Sequence, residues 1–239
     1  VGITKNVTAF YRQDRTGAPD IFYLAFSANQ VIPGLGTVTA NDVVKFTPTA
    51  LGNTTAGSFE WYFDGSDVGL STAAENVDAL SIDSGGHLLV STTGNATVTG
   101  PTGQALRAAD EDLLKFTFTT SGASTAGTWL AHFDGSDVGL SAASEKIDAL
   151  SLDNSGRLMI STTGGSSVPG LNFADEDVAA FTENLAGVSV VASPILWVTG
   201  NPLLAYNVAL FLTWPLSAIA AYLLVLILSR RHDAAFVAG

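Results

Sequence analysis

The sequence predicts a mainly β protein: antiparallel, four-stranded repeat units of about 70 residues, arranged as an incomplete array of propeller-blade-like sheets and followed by a C-terminal transmembrane α-helix. Three observations carry this expectation. WYFDGSDVGL at 61–70 returns as AHFDGSDVGL at 131–140, ENVDALSID at 75–83 as EKIDALSLD at 145–153, and HLLVSTTG at 87–94 as RLMISTTG at 157–164. Each unit consists of short β-branched and aromatic runs punctuated by Gly, Asp, Asn and Ser, the composition of strands and turns. Residues 184–229 carry no charged side chain, and 203–229 exceed the about 20 apolar residues that cross a bilayer.

The register extends backwards, since KNVTAF at 5–10 aligns with ENVDAL at 75–80 and DVVKFT at 42–47 with DLLKFT at 112–117. This divides the chain into a partial repeat (1–46), two fuller repeats (47–116 and 117–183) and a membrane segment (184–239). The strands expected in the first full repeat are 58–63, 77–82, 87–92 and 112–118. Period-two spacing places Phe59, Trp61 and Phe63 on one face, and Trp129, Ala131 and Phe133 on the equivalent face. SIDSGGHLLV and its copy SLDNSGRLMI read as hairpins whose Asp, Ser and Gly tolerate positive φ. Four strands per unit match a propeller blade; a linear array or a sandwich is the alternative.

Composition narrows function. Twenty-two Asp and Glu against ten Lys and Arg give a net charge of −12, with no basic stripe to neutralise phosphates, so nucleic acid is not an expected partner. The absence of cysteine removes disulfides, thiolate nucleophiles and cysteine metal clusters. The chain opens at Val1 and stops at Gly239 within an apolar run, and so reads as a fragment. Gly65-Ser66-Asp67-Val68-Gly69 is not a nucleophile elbow, because its serine stands one place early. No phosphate-binding loop, H-E-x-x-H or dinucleotide fingerprint occurs. His87 becomes Arg157 in the next copy and His132 corresponds to Tyr62, so both read as rim positions, and no catalytic residue is assigned.

The candidate metal ligands are Asp64 and Asp67, recurring as Asp134 and Asp137. Closely spaced hard oxygens suit Ca²⁺, the one cofactor the sequence raises. The same residues also suit an Asx turn, in which the side chains bond backbone amides. The ADED clusters at 109–112 and 174–177 read as solvated loops leading into strands.

In the apolar end, 185–199 is too short to span alone and contains Pro194, which fits an interfacial or re-entrant segment. A break at 199–202 then opens the expected span, 203–229. Arg230 and Arg231 follow it, and the positive-inside rule puts them in the cytoplasm and the repeats outside.

The FDGSDVGL units resemble repeats of large bacterial surface or secreted proteins over about residues 42–180, which implies an extracellular, non-catalytic setting. FTENLAGVSVVASPILWVTGNPLLAYNVALFLTWPLSAIAAYLLV at 181–225, with RRHDAAFVAG after it, resembles a segment of polytopic bacterial membrane glycosyltransferases of the GT-C type. That resemblance implies lipid-linked sugar donors and a catalytic carboxylate in an external loop. This chain has β-repeats where that loop would sit, and Glu183 within the matching stretch takes no catalytic role. The expectation is a membrane-tethered extracellular repeat protein with a surface, adhesion or binding role, its partners the membrane and a carbohydrate or another surface protein. The alternatives are a fragment of a multispan glycosyltransferase, or a chimera joined near 176–183. Trp61 and Tyr62 offer rings for stacking on sugar, although Trp61 keeps step with core positions.

Overall fold

The β-branched and aromatic runs become strands, and the Gly, Asp and Ser clusters become the turns between them. The computed structural model describes residues 2–153 and 155–181. The first sheet contains β1 (Val7–Gln13), β2 (Ile21–Phe26), β5 (Val43–Ala50) and β6 (Ala56–Phe63), antiparallel in that spatial order. A separate hairpin of β3 (Gln30–Ile32) and β4 (Gly36–Val38) is inserted after β2. The second sheet repeats this plan with β7 (Val77–Ile82), β8 (Leu88–Thr92), β11 (Leu113–Thr120) and β12 (Ala126–Phe133). Its inserted hairpin is β9 (Ala96–Thr99) with β10 (Ala105–Ala108). The third has β13 (Ile147–Leu152), β14 (Leu158–Thr162) and β17 (Ala179–Phe181), with β15 (Ser166–Val168) and β16 (Leu171–Phe173) as its hairpin.

The period holds, but the sheets start at a different point within it. The strand at 56–63 joins the sheet before it, with Phe59 opposite Phe46, and the next sheet opens at Val77. The turn that follows each first strand needs a left-handed residue, supplied by Gly86 (φ 79°) and Gly156 (φ 78°).

Phe59, Trp61 and Phe63 do not share a face. Val43 pairs with Phe63 but Val44 pairs with Trp61, so β6 carries one extra residue at that point. Such a bulge moves every later side chain to the other face. Phe63 therefore enters the core between the first and second sheets, whereas Phe59 and Trp61 pack on the opposite side. The same shift between Leu113 and Leu114 separates Phe133 from Trp129.

The sheets stack face to face. Ala9, Tyr23 and Val43 of the first pack against Leu80, Phe116 and Trp129 of the second. Ala79, Leu89 and Leu113 of the second pack against Leu150, Leu158 and Ile160 of the third. Each sheet thus has a leading face toward the sheet before it and a trailing face toward the sheet after it. Val1–Phe181 form one compact unit.

Two expectations are corrected. The described sheets do not close into a propeller: three stacked sheets fall short of the four to eight blades a ring needs, and the outer faces of the first and third never meet to complete one. Among the described residues no helix is long and apolar enough to cross a membrane. The helices described there are 3-10 turns of three residues, at Ser66–Val68, Ala73–Glu75 and Ser136–Val138. The expected span 203–229, the segment 185–199 and Arg230-Arg231 lie outside the described residues. The transmembrane helix, the membrane as partner and the exterior-to-cytoplasmic topology therefore have no support in the fold, which is mainly β with small antiparallel repeated sheets.

Candidate functional site

Three of the four repeated carboxylates, Asp64, Asp67 and Asp134, accept hydrogen bonds from backbone amides. Asp64 Oδ1 accepts hydrogen bonds from the Ser66 amide (3.1 Å) and hydroxyl (2.7 Å), and Asp134 does the same with Ser136 (3.1 and 2.6 Å). Asp67 instead reaches into the second sheet, where its Oδ2 accepts from the Thr125 amide at 2.8 Å. Thr125 Oγ1 accepts from the Asp64 amide and donates to the Gly122 carbonyl, both at 2.8 Å. The Gly122 amide donates to the Tyr62 carbonyl (2.9 Å), and Trp129 Nε1 to the Val68 carbonyl (2.9 Å). FDGSDVGL is therefore a clasp, its own turn closed by Asp64 and its far end gripped by the next sheet. Asp137 sits in the matching 3-10 turn, Ser136–Val138. The four expected Ca²⁺ ligands fall on two separate turns, and Asp64 and Asp67 serve different partners. Among the described residues no group of three or more His, Asp or Glu side chains is placed to hold a metal ion.

The ADED clusters are more than solvated loops. Asp112 accepts from the Ala109 amide (2.7 Å) and the Gly135 amide (2.9 Å), as Asp42 does from Thr39 (2.6 Å) and Gly65 (3.0 Å). A Cβ on Gly65 or Gly135 would collide with the carbonyl of Asn41 or Glu111, which explains the repeated Asp-Gly. Sequence reasoning missed Glu75 and Glu145, both buried. Glu75 accepts from the Ser71 and Thr72 amides and the Thr72 hydroxyl, each at 2.9 Å, and from the Thr97 amide of the inserted hairpin at 3.3 Å. Burial pushes its carboxyl up, but these hydrogen bonds outweigh burial and hold it below the usual range. The capping-box pattern Thr-x-x-Glu at 72–75 was the signal that could have revealed it.

The polar cleft lies where the first strands end. Neighbouring sheets are tied at the opposite, starting ends of these strands by Thr8 Oγ1 donating to the Val77 carbonyl (3.1 Å) and Ser91 Oγ to the Ile147 carbonyl (2.8 Å), which holds the strands side by side. The turns after β1, β7 and β13 consequently line one cleft of about 650 Å³. The first contributes Tyr11, Arg12, Gln13 and Asp14, the second Asp83 and Ser84, and the third Ser151 and Asp153. Asp83 Oδ1 accepts from the Gly85 and His87 amides, both at 2.9 Å, while Lys115 Nζ and His87 Nδ1 lie 2.7 and 2.8 Å from Oδ2. Burial raises the Asp83 carboxyl, but Lys115 and His87 together hold it well below the carboxylate range. Asp153 repeats the arrangement with the Ser155 and Arg157 amides (2.8 and 2.9 Å) and the Arg157 guanidinium. The hydrogen bonds from Arg157 lower its pKa. Gln13 replaces the aspartate in the first turn and accepts from the Tyr23 hydroxyl at 3.1 Å. Arg12 bridges Asp14 (2.6 Å) and Asp20 (3.1 Å). Burial and Asp14 raise the Tyr11 phenol, keeping it neutral. Every carboxylate lining the cleft thus has a cationic partner.

No family model and no curated protein matches the chain. Among solved structures it is similar to the extracellular domain of a protein described as a hybrid two-component system of B. thetaiotaomicron. That likeness has 15% identity and a TM-score of 0.31, over 77% of this chain and 26% of that one. A second, the extracellular domain of a protein described as a one-component system of the same organism, has 12% identity and a TM-score of 0.25, over 75% of this chain and 31% of that one. The chain spans less than a third of the length of either, and neither likeness assigns it a fold or a ligand. Neither a GT-C glycosyltransferase nor an FDGSDVGL surface-repeat family is among these matches. The stretch at 181–225 thus finds no counterpart in any match, and all of it but Phe181 lies outside the described residues. The readings as a membrane-tethered surface protein and as a glycosyltransferase fragment are corrected accordingly.

Proposed function

We propose that the chain is a ligand-recognition module that binds an uncharged, hydroxyl-rich small molecule in the cleft formed by the turns after β1, β7 and β13. The observation that carries this reading is the convergence of three repeat-equivalent turns whose carboxylates are already neutralised by Arg12, Lys115 and Arg157. A charged solute would lose hydration without gaining an unpaired counter-charge. Hydroxyl groups, in contrast, can exchange hydrogen bonds with Gln13, Ser84 and Ser151, and the Tyr11 ring offers an apolar face to C–H groups. The cleft volume lies within the roughly 300–1,000 Å³ usual for small-molecule sites.

Calorimetric titration of the full chain with a panel of neutral mono- and disaccharides, beside uronates and amino acids, tests the proposal. Binding is expected from a neutral saccharide and should weaken in Gln13→Ala and Ser84→Ala. Binding confined to charged solutes, or no heat from any neutral saccharide at millimolar concentration, would overturn it.

A further inference from the structure

The outer faces of the stack occupy the same repeat positions as its inner faces, yet lie open. Leu80 and Leu150 occupy one position of β7 and β13 and are 1% and 8% exposed, because the preceding sheet covers them; Phe10, their equivalent in β1, is 53% exposed. Val43 and Leu113, covered by the following sheet, are both 0% exposed, whereas Val178, their equivalent just before β17, is 67% exposed.

Each open face has the chemistry of a closed one. On the leading side of the first sheet, Phe10, Phe22, Phe46 and Phe59 form a row across all four strands, with successive centroids 5.6, 6.5 and 4.7 Å apart. They line an apolar cleft of about 350 Å³ with Ile3 and Leu24. On the trailing side of the third sheet, Ala149 and Ala180 are exposed and Met159 is half-buried. Ala79 and Leu89 hold the positions of Ala149 and Met159 in the second sheet, where they are buried against the third. Phe46 is buried beneath this row, in a cluster with Ile32 and Val38 of the β3–β4 hairpin, whereas Phe22 and Phe59 are partly exposed and Phe10 is open. An apolar edge of this kind is an interaction surface, and the chain itself shows twice what covers such a face: the apolar trailing face of another sheet of the same repeat.

We infer that the leading face of the first sheet docks the trailing face of the third sheet of a second copy of this chain. The contact is head to tail, using two different surfaces, so a pair of copies retains one free face of each kind and can add further copies. It continues the packing already present between the sheets and is independent of the polar cleft.

Sedimentation velocity on the full chain, with Phe10→Asp and Val178→Asp, tests the inference. Val178 is exposed, and Phe10 is half-exposed with its ring stacked on Phe22, so melting curves check that each variant remains folded. The wild type should self-associate with concentration, and either substitution should weaken association at least about tenfold. An equimolar mixture of the two variants should recover a one-to-one complex, because each keeps the face the other has lost. A wild type that stays monomeric, association that survives both substitutions, or variants that do not pair when mixed would each overturn it.

Discussion

The indole N–H of Trp129 donates to the carbonyl of Val68 at 2.9 Å, joining the second sheet to the turn that ends the first. The ring also packs 4.8 Å from Phe116 and 5.9 Å from Phe63, centroid to centroid. Trp129→Phe should preserve most of the packing but strand the carbonyl, costing about 1–3 kcal/mol in urea unfolding. Trp129→Ala should cost about 3–5 kcal/mol, because it also leaves a cavity. Equal losses in the two variants would show that the hydrogen bond is immaterial.

Asp67 and Thr125 form the other half of this joint. Asp67→Ala and Thr125→Val should each destabilise the chain by about 1–3 kcal/mol. Their double variant should lose less than the sum, since both remove bonds from one network. Additive losses would place the two residues in separate networks.

Glycine is required at 127 for steric reasons. A Cβ there would meet the Thr117 carbonyl and the Phe116 ring across the sheet, as at Gly57 with Thr47 and Phe46. Gly127→Ala should therefore lower the melting temperature, whereas Gly103→Ser, with open space around it but a positive φ of 79°, should cost only the backbone strain. The comparison is read from the two melting curves.

Acid should unfold the protein through its paired carboxylates. Glu75 and Asp83 have folded pKa values below their ordinary ones, so they bind protons more readily when unfolded. Their contribution is complete above the ordinary carboxylate range and is lost as pH falls below about 4. Melting temperature should be flat between neutral pH and about 5 and then decline, with a shallower decline in Asp83→Asn. An identical acid limb in that variant would remove Asp83 from the account.

Added Ca²⁺ should leave the melting temperature unchanged, because Asp64 and Asp134 already accept from Ser66 and Ser136 while Asp67 holds Thr125. A rise that saturates with Ca²⁺ would support the metal reading of these turns.

The period, the hairpin turns and the Asx turn within FDGSDVGL were legible in the sequence because each depends on residues within a few positions of one another. The side of the sheet reached by Phe63 was not, since one bulge residue near Val43 reverses the alternation and no local signal marks it. The cleft was equally hidden. Asp83 and Asp153 read as turn residues and became parts of one site only because stacking brings their turns beside that of Gln13.

By itself, the sequence determined that this protein repeats one antiparallel unit, acidic and without cysteine, because strand composition and turn chemistry are written in each copy. Only the tertiary structure decided where each sheet begins, that FDGSDVGL is a clasp, and that three turns share a cleft. The clasp's partners lie 58 and 61 residues apart in the chain. No periodicity within a unit encodes such distant contacts; they arise when apolar faces stack and the backbone groups between them must find partners.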